Sequence, residues 1–194
     1  MQESGIKMYI FGYGSLINTH SRQKTGQTGN SYPVSISGLT RHFGKIDSRY
    51  SISPLAAQQG KGECNGVLVE IDDIALAQFD LREKGYQRII IEPEHITFLQ
   101  APVRLDSPVW AYVRPNPKIP CHDQPIVQSY IDTVLAGCLS ISHDFAQTFI
   151  NTTDGWQHAL INDRENPIYG NLAGVQDHHR QQIDQLLKPV LSLS

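Results

Sequence analysis

The chain has 194 residues, 40% of them hydrophobic, which suffices to bury the core of one ordinary domain. Its formal net charge is −3 and its basic residues are scattered, so it carries no electrostatic footprint for nucleic acid. Three cysteines (Cys64, Cys121 and Cys138) are too few and too widely spaced for a disulfide framework or a Cys-x-x-Cys zinc site, and no apolar run is long enough to span a membrane. The first residues lack the basic region and apolar stretch of a secretion signal, and a cytoplasmic setting is the expectation.

Along the chain, strand-like runs come first. Residues 8–11 (MYIF) lead directly into Gly12-Tyr13-Gly14-Ser15, and further runs of β-branched or aromatic residues lie at 33–37, 66–71, 88–91 and 109–113. Residues 72–81 read as a short helix capped by Asp72 or Asp73, with Gly85 placed to end it. The clearest helix is 125–139, where Val127, Tyr130, Ile131, Val134, Leu135 and Cys138 form one stripe and Pro125 occupies the first turn. A second short helix covers 143–150, and 175–191 is amphipathic until Pro189 disturbs it. Residues 151–174 are polar and loop-rich: a lid, a partner surface, or an extension packed on the domain by Trp156 and Tyr169. Strands followed by helices argue for an α+β fold with a mixed or antiparallel sheet.

Two stretches carry chemistry. The first, GYGSLIN, ends on Asn18 with no third glycine nearby to complete a dinucleotide fingerprint, and it lacks the lysine of a phosphate loop. What remains is a set of amides around Gly12, Gly14, Ser15 and Leu16 that can form a nest for an anion, carboxylate as well as phosphate; a plain strand-to-loop turn is the simpler alternative. The second, FDLREKGYQR at 79–88, crowds Asp80, Arg82, Glu83 and Lys84 against three isoleucines. Solvated charges pairing with one another would explain it. A carboxylate drawn toward the core by the following strand would instead have its pKa raised and serve as a base. The histidines are dispersed or surface-like, and no metal spacing is visible.

FGYGSL after the first strand, followed some seventy residues on by Asp80-x-x-Glu83-x-Gly85, resembles the γ-glutamylcyclotransferase superfamily. REKGY is nearest to the REKGGY of its ChaC-like branch, and SGLTRHFG (37–44), GVLVEI and VWAYV are similar to its other strands; the resemblance spans roughly residues 8–139. It implies a small mixed β-barrel flanked by helices, as domain 1–150 with a C-terminal extension, 151–194, packed on it. It further implies that Tyr13, Gly14, Ser15 and Leu16 bind the γ-glutamyl carboxylate, that Glu83 is catalytic, and that Tyr112 lines the pocket. REKGY has one glycine fewer than REKGGY, which separates the presence of the glutamate from any preference for glutathione.

The implied reaction needs no metal or cofactor, because a γ-glutamyl compound contains its own nucleophile. Its α-amine closes a five-membered ring on the γ-carbonyl, giving 5-oxoproline and a free amine or amino acid. An α-ammonium with a reference pKa of about 8 must first lose a proton, and Glu83 is the residue to take it. The expected activity is of lyase or acyltransferase type on a small-molecule γ-glutamyl substrate, with no nucleic-acid or membrane partner and with a homodimer compatible with the sequence. A non-catalytic binding protein of the same fold, and removal of a γ-glutamyl protecting group from a larger metabolite, are the alternatives.

Overall fold

The computed structural model describes residues 7–27, 29–46 and 50–192. Strand β1 (Met8–Gly12) is followed by a single 3-10 turn (Ser15–Ile17) and helix α1 (Thr19–Lys24). Two long strands come next, β2 (Ser31–Phe43) and β3 (Leu55–Ile71), then helix α2 (Asp73–Arg82). Strands β4 (Gln87–Ile91), β5 (Ile96–Phe98) and β6 (Val109–Val113) complete the main sheet except for one short bridge to it. The rest comprises β7 (Ile126–Val127), α3 (Gln128–Ile141), α4 (His143–Asn151), β8 (Thr153–Asp154), β9 (Leu160–Ile161) and α5 (Asp177–Leu191).

The main sheet runs in the order β4-β6-β1-β3-β2-β5, with β8 beside β2. It is mixed: β1 is antiparallel to β3 and parallel to β6. The α+β class and the flanking helices agree with the sequence reading, but the expected barrel is corrected. The hydrogen-bonded order starts at β4 and ends at β5, so the sheet stays open. β1 is an interior strand whose Ile10 and Phe11 are both buried, which accounts for its unbroken apolar run.

Two helix ends also differ from expectation. Residues 125–127 are not helical: Pro125 accepts from the Ser53 amide and Ile126 donates to Ala159, so the backbone is committed to an extended ladder and α3 begins at Gln128. Pro189 does not stop α5: its missing N–H forfeits one bond, to the carbonyl of Gln185, and the helix still runs to Leu191.

Helix α3 is buried from Gln128 to Cys138, on more than its apolar stripe. Its polar side is matched by the segment after β9. Asp163 accepts from the Ser129 amide (2.7 Å) and hydroxyl (2.5 Å), Asp132 pairs with Arg164 (2.8 Å), and the Thr133 hydroxyl donates to Asn171 O (3.1 Å). Arg164 also reaches Asp184 on α5 at 2.8 Å. Among the described residues no helix is long and apolar enough to cross a membrane.

Candidate active site

The two stretches singled out in the sequence meet. Residues 12–16 and Glu83 line one cavity of about 560 Å³, between the end of β1, the end of α2 and the start of β3.

The glycines are required by close approach rather than by an unusual φ. A Cβ on Gly12 would stand 2.6 Å from Leu16 Cβ, and one on Gly14 2.9 Å from the Tyr130 hydroxyl. Asn18 pins the far end of the loop. Its Nδ2 donates to Thr133 O (2.8 Å) and Ala173 O (3.1 Å), while its Oδ1 caps α1 through the Ser21 amide (3.1 Å). α3 approaches so closely here that a Cβ on Gly137 would overlap Asn18.

Two buried arginines hold the loop's carbonyls. Arg22 donates to Leu16 O (2.5 Å) and Ile17 O (3.1 Å). Arg41, with no exposed surface, reaches Tyr13 O (3.4 Å), Asn65 O (2.5 Å), Phe149 O (3.0 Å) and the Thr153 hydroxyl (2.7 Å), and lies 3.5 Å over the Phe149 ring. Burial lowers the Arg41 pKa to about 10, so it stays charged at neutral pH. With the carbonyls occupied from behind, the amides of Gly14, Ser15 and Leu16 have no acceptor among the described residues. Two fixed cations and these donors make the loop a suitable seat for a carboxylate.

Glu83 is the residue that ends α2. Asp72 caps the start of this helix through the Ala75 amide (2.7 Å). At the other end the Glu83 amide donates to Phe79 O (2.8 Å), the Tyr86 amide donates to Glu83 O (3.1 Å), and Gly85 turns the chain at φ +92. One glycine therefore makes the whole turn, and the following residue, Tyr86, joins the cavity wall. The Glu83 side chain is 26% exposed. Burial raises its pKa above the ordinary carboxylate value, and Arg82 at 3.4 Å offsets part of that rise. Its charge is felt by Tyr13, Tyr86 and Tyr130, all of which are held protonated mainly by burial. A base of raised pKa, lining the same cavity as amides open to an anion, can move a proton on a bound zwitterion.

The other sequence candidates sort as follows. Ser15, Gly14 and Leu16 line the cavity, as does Tyr13, whose hydroxyl is already committed to Tyr112 O (2.5 Å). Tyr112 presents its ring to the cavity while its hydroxyl donates to Asp80 (2.6 Å), which also pairs with Arg88. Sequence reasoning missed Arg22, Arg41, Asn18 and the contribution of Ile168, Tyr169 and Asn171. For Arg41 a signal existed: in β2 it alternates in phase with Leu39 and Phe43, both buried. Among the described residues no three His, Cys, Asp or Glu side chains gather to hold a metal ion.

An open mixed sheet with its cavity at one end, walled by a glycine loop and a half-buried glutamate, places the chain among the cyclotransferase-like α+β proteins. Residues 10–132 match the family model described as gamma-glutamyl cyclotransferase, AIG2-like, and the protein belongs to that family. Among solved structures, its fold is similar to that of a gamma-glutamyl cyclotransferase (TM-score 0.60, 13% identity, covering 92% of this chain and 99% of that one). It is also similar to the uncharacterized protein loc79017 from Homo sapiens (TM-score 0.55, 14% identity, 92% and 98% covered). YkqA from Bacillus subtilis gives a TM-score of 0.56 at 20% identity over 77% of this chain, which spans 55% of that protein's length. At these identities the likeness is one of fold. No curated protein sequence matches the chain.

Proposed function

We propose that the protein is a γ-glutamylcyclotransferase that converts a γ-glutamyl amide into 5-oxoproline and a free amine or amino acid. The observation that carries this reading is the shared cavity: Gly14, Ser15 and Leu16, whose amides have no acceptor among the described residues, and Glu83 line the same space.

In this reading the substrate's α-carboxylate sits on the amides of Gly14, Ser15 and Leu16, backed by Arg22 and Arg41. Glu83 takes a proton from the α-ammonium. The freed amine attacks the γ-carbonyl carbon, forming the ring C–N bond as the original amide C–N bond breaks. Glu83 then hands that proton to the departing nitrogen and, as carboxylate again, takes the surplus proton from the ring nitrogen and passes it to the released amine, which leaves as an ammonium. Atoms balance without water, and every proton moved comes from the substrate. A positioned acid–base residue of this kind contributes roughly 10²–10⁴-fold. The tyrosines Tyr13, Tyr86 and Tyr130 are all protonated at neutral pH and compete with Glu83 for no proton.

The test is to incubate the purified protein with γ-glutamyl amino acids, γ-glutamylamines and glutathione and to measure 5-oxoproline by mass spectrometry. Release from at least one substrate is expected. Tight binding of one of them with no product would favour a non-catalytic binding protein instead.

A further inference from the structure

The following rests on the cyclotransferase reading and concerns the half of the substrate that leaves. We infer that the amine released carries a neutral, apolar or aromatic substituent, received by a wall that the C-terminal segment builds from Ile168, Tyr169 and Asn171.

Size comes first. A cavity of about 560 Å³ holds the volume of roughly nineteen liquid waters at about 30 Å³ each, whereas a γ-glutamyl group has only about nine non-hydrogen atoms. Substantial room is left for the leaving group. Apolar and aromatic side chains predominate in that room, with Ser51 and Asn171 as neutral polar groups among them: Ile46, Tyr50 and Ile52 contribute from the connection between β2 and β3, and Ile168 and Tyr169 from beyond the family-matched residues. Ile168 lines the cavity while 45% exposed, an isoleucine kept at an opening and not in the core. Tyr169 stands edge-on to Tyr130, with centroids 5.0 Å apart.

The wall is preformed. Asp163 accepts from the Ile168 amide (2.7 Å), the Tyr169 amide donates to the Ser129 hydroxyl (3.1 Å), and Asn171 Nδ2 donates to the Ser21 hydroxyl (2.8 Å). These bonds tie the segment to α3 and α1 on either side of the cavity. Asn171 keeps its carboxamide oxygen buried and without a partner among the described residues, which offers a neutral acceptor to an amide N–H. Charge argues the same way. The formal charges among the described lining residues are Arg82 and Glu83, which already face each other at 3.4 Å. Among the described lining residues a cationic or carboxylate-bearing leaving group would find no charged partner besides this pair.

The experiment compares kcat/KM for 5-oxoproline release by the full chain from γ-glutamylbenzylamide, γ-glutamylmethylamide, γ-glutamylglycine and ε-(γ-glutamyl)lysine. The benzylamide is expected to exceed each of the other three by at least about tenfold, the discrimination a hydrophobic pocket readily supplies. Ile168→Ser, at an exposed position, is expected to shrink the benzyl-to-methyl ratio through KM. Equal or better turnover of the glycine or lysine compound overturns the inference and leaves the cyclotransferase reading standing. An unchanged ratio in the Ile168 variant overturns the assignment of the wall. No 5-oxoproline from any of the four overturns both.

Discussion

At the level of single residues, Glu83 decides the pH behaviour. Its carboxyl titrates above the ordinary carboxylate value of about 4.3 because burial penalises its charge. The rate of 5-oxoproline release should therefore fall on acidification through a pKa higher than that of an exposed glutamate, as a pH–kcat/KM profile will read. The same shift sets a stability expectation. A carboxyl whose folded pKa is raised lends its stability while protonated and loses it as pH rises through the folded value. At neutral pH Glu83→Gln should thus leave the thermal midpoint unchanged or higher, and a clear drop would mean that the charged form is favoured by contacts other than Arg82. Such a residue was legible in REKGY because a charged turn abutting Ile89, Ile90 and Ile91 cannot stay fully solvated. The single glycine of that motif was legible too, but not that Tyr86 would take up wall space in place of a second one.

At the level of elements, the glycine loop is held by its neighbours. Arg41 on β2 and Arg22 on α1 fill its carbonyls, while Asn18 fixes its exit under α3. Replacing Arg41 by Met removes all of the Arg41 bonds and takes the guanidinium donor from the Asn65 carbonyl in the core, while Phe149 O keeps the Thr153 hydroxyl. A loss of about 3 kcal/mol or more is expected, read from the denaturant midpoint. Arg164→Ala makes a similar test on the far side. It leaves Asp132, 2% exposed, without its cation, and about 3 kcal/mol is again the expected cost. Five strands and all four expected helices were visible as patterns, since apolar alternation and capping residues are local. What was not visible depends on distant partners. The first half of β3, with Gln58, Gln59, Gly60 and Lys61, is a polar strand specified by pairing with β2. The extended 125–127 is specified by β9 and by the Ser53 amide. The open sheet, in place of the barrel, likewise follows from which edges pair and not from any one strand.

At the level of the whole molecule, residues 151–192 complete the described fold and reach the cavity. The polar side of α3 is satisfied by Asp163, Arg164 and Asn171, and Trp156 packs edge-on to Phe43 at 4.9 Å. A chain cut after Asn151 is expected to lose cooperative unfolding, as followed by near-UV circular dichroism on heating, although it retains all of the family-matched stretch. Sequence composition marked 151–174 as loop-rich but offered no way to see that its polar residues are the partners of α3. The catalytic reading binds these scales together through one carboxyl group. The most direct measurement is the rate of 5-oxoproline release by wild type and by Glu83→Gln, on whichever γ-glutamyl amide the wild type turns over best. A fall of roughly 10²–10⁴-fold with substrate binding retained is expected. A Glu83→Gln rate equal to wild type would contradict the assignment of Glu83 as the proton carrier.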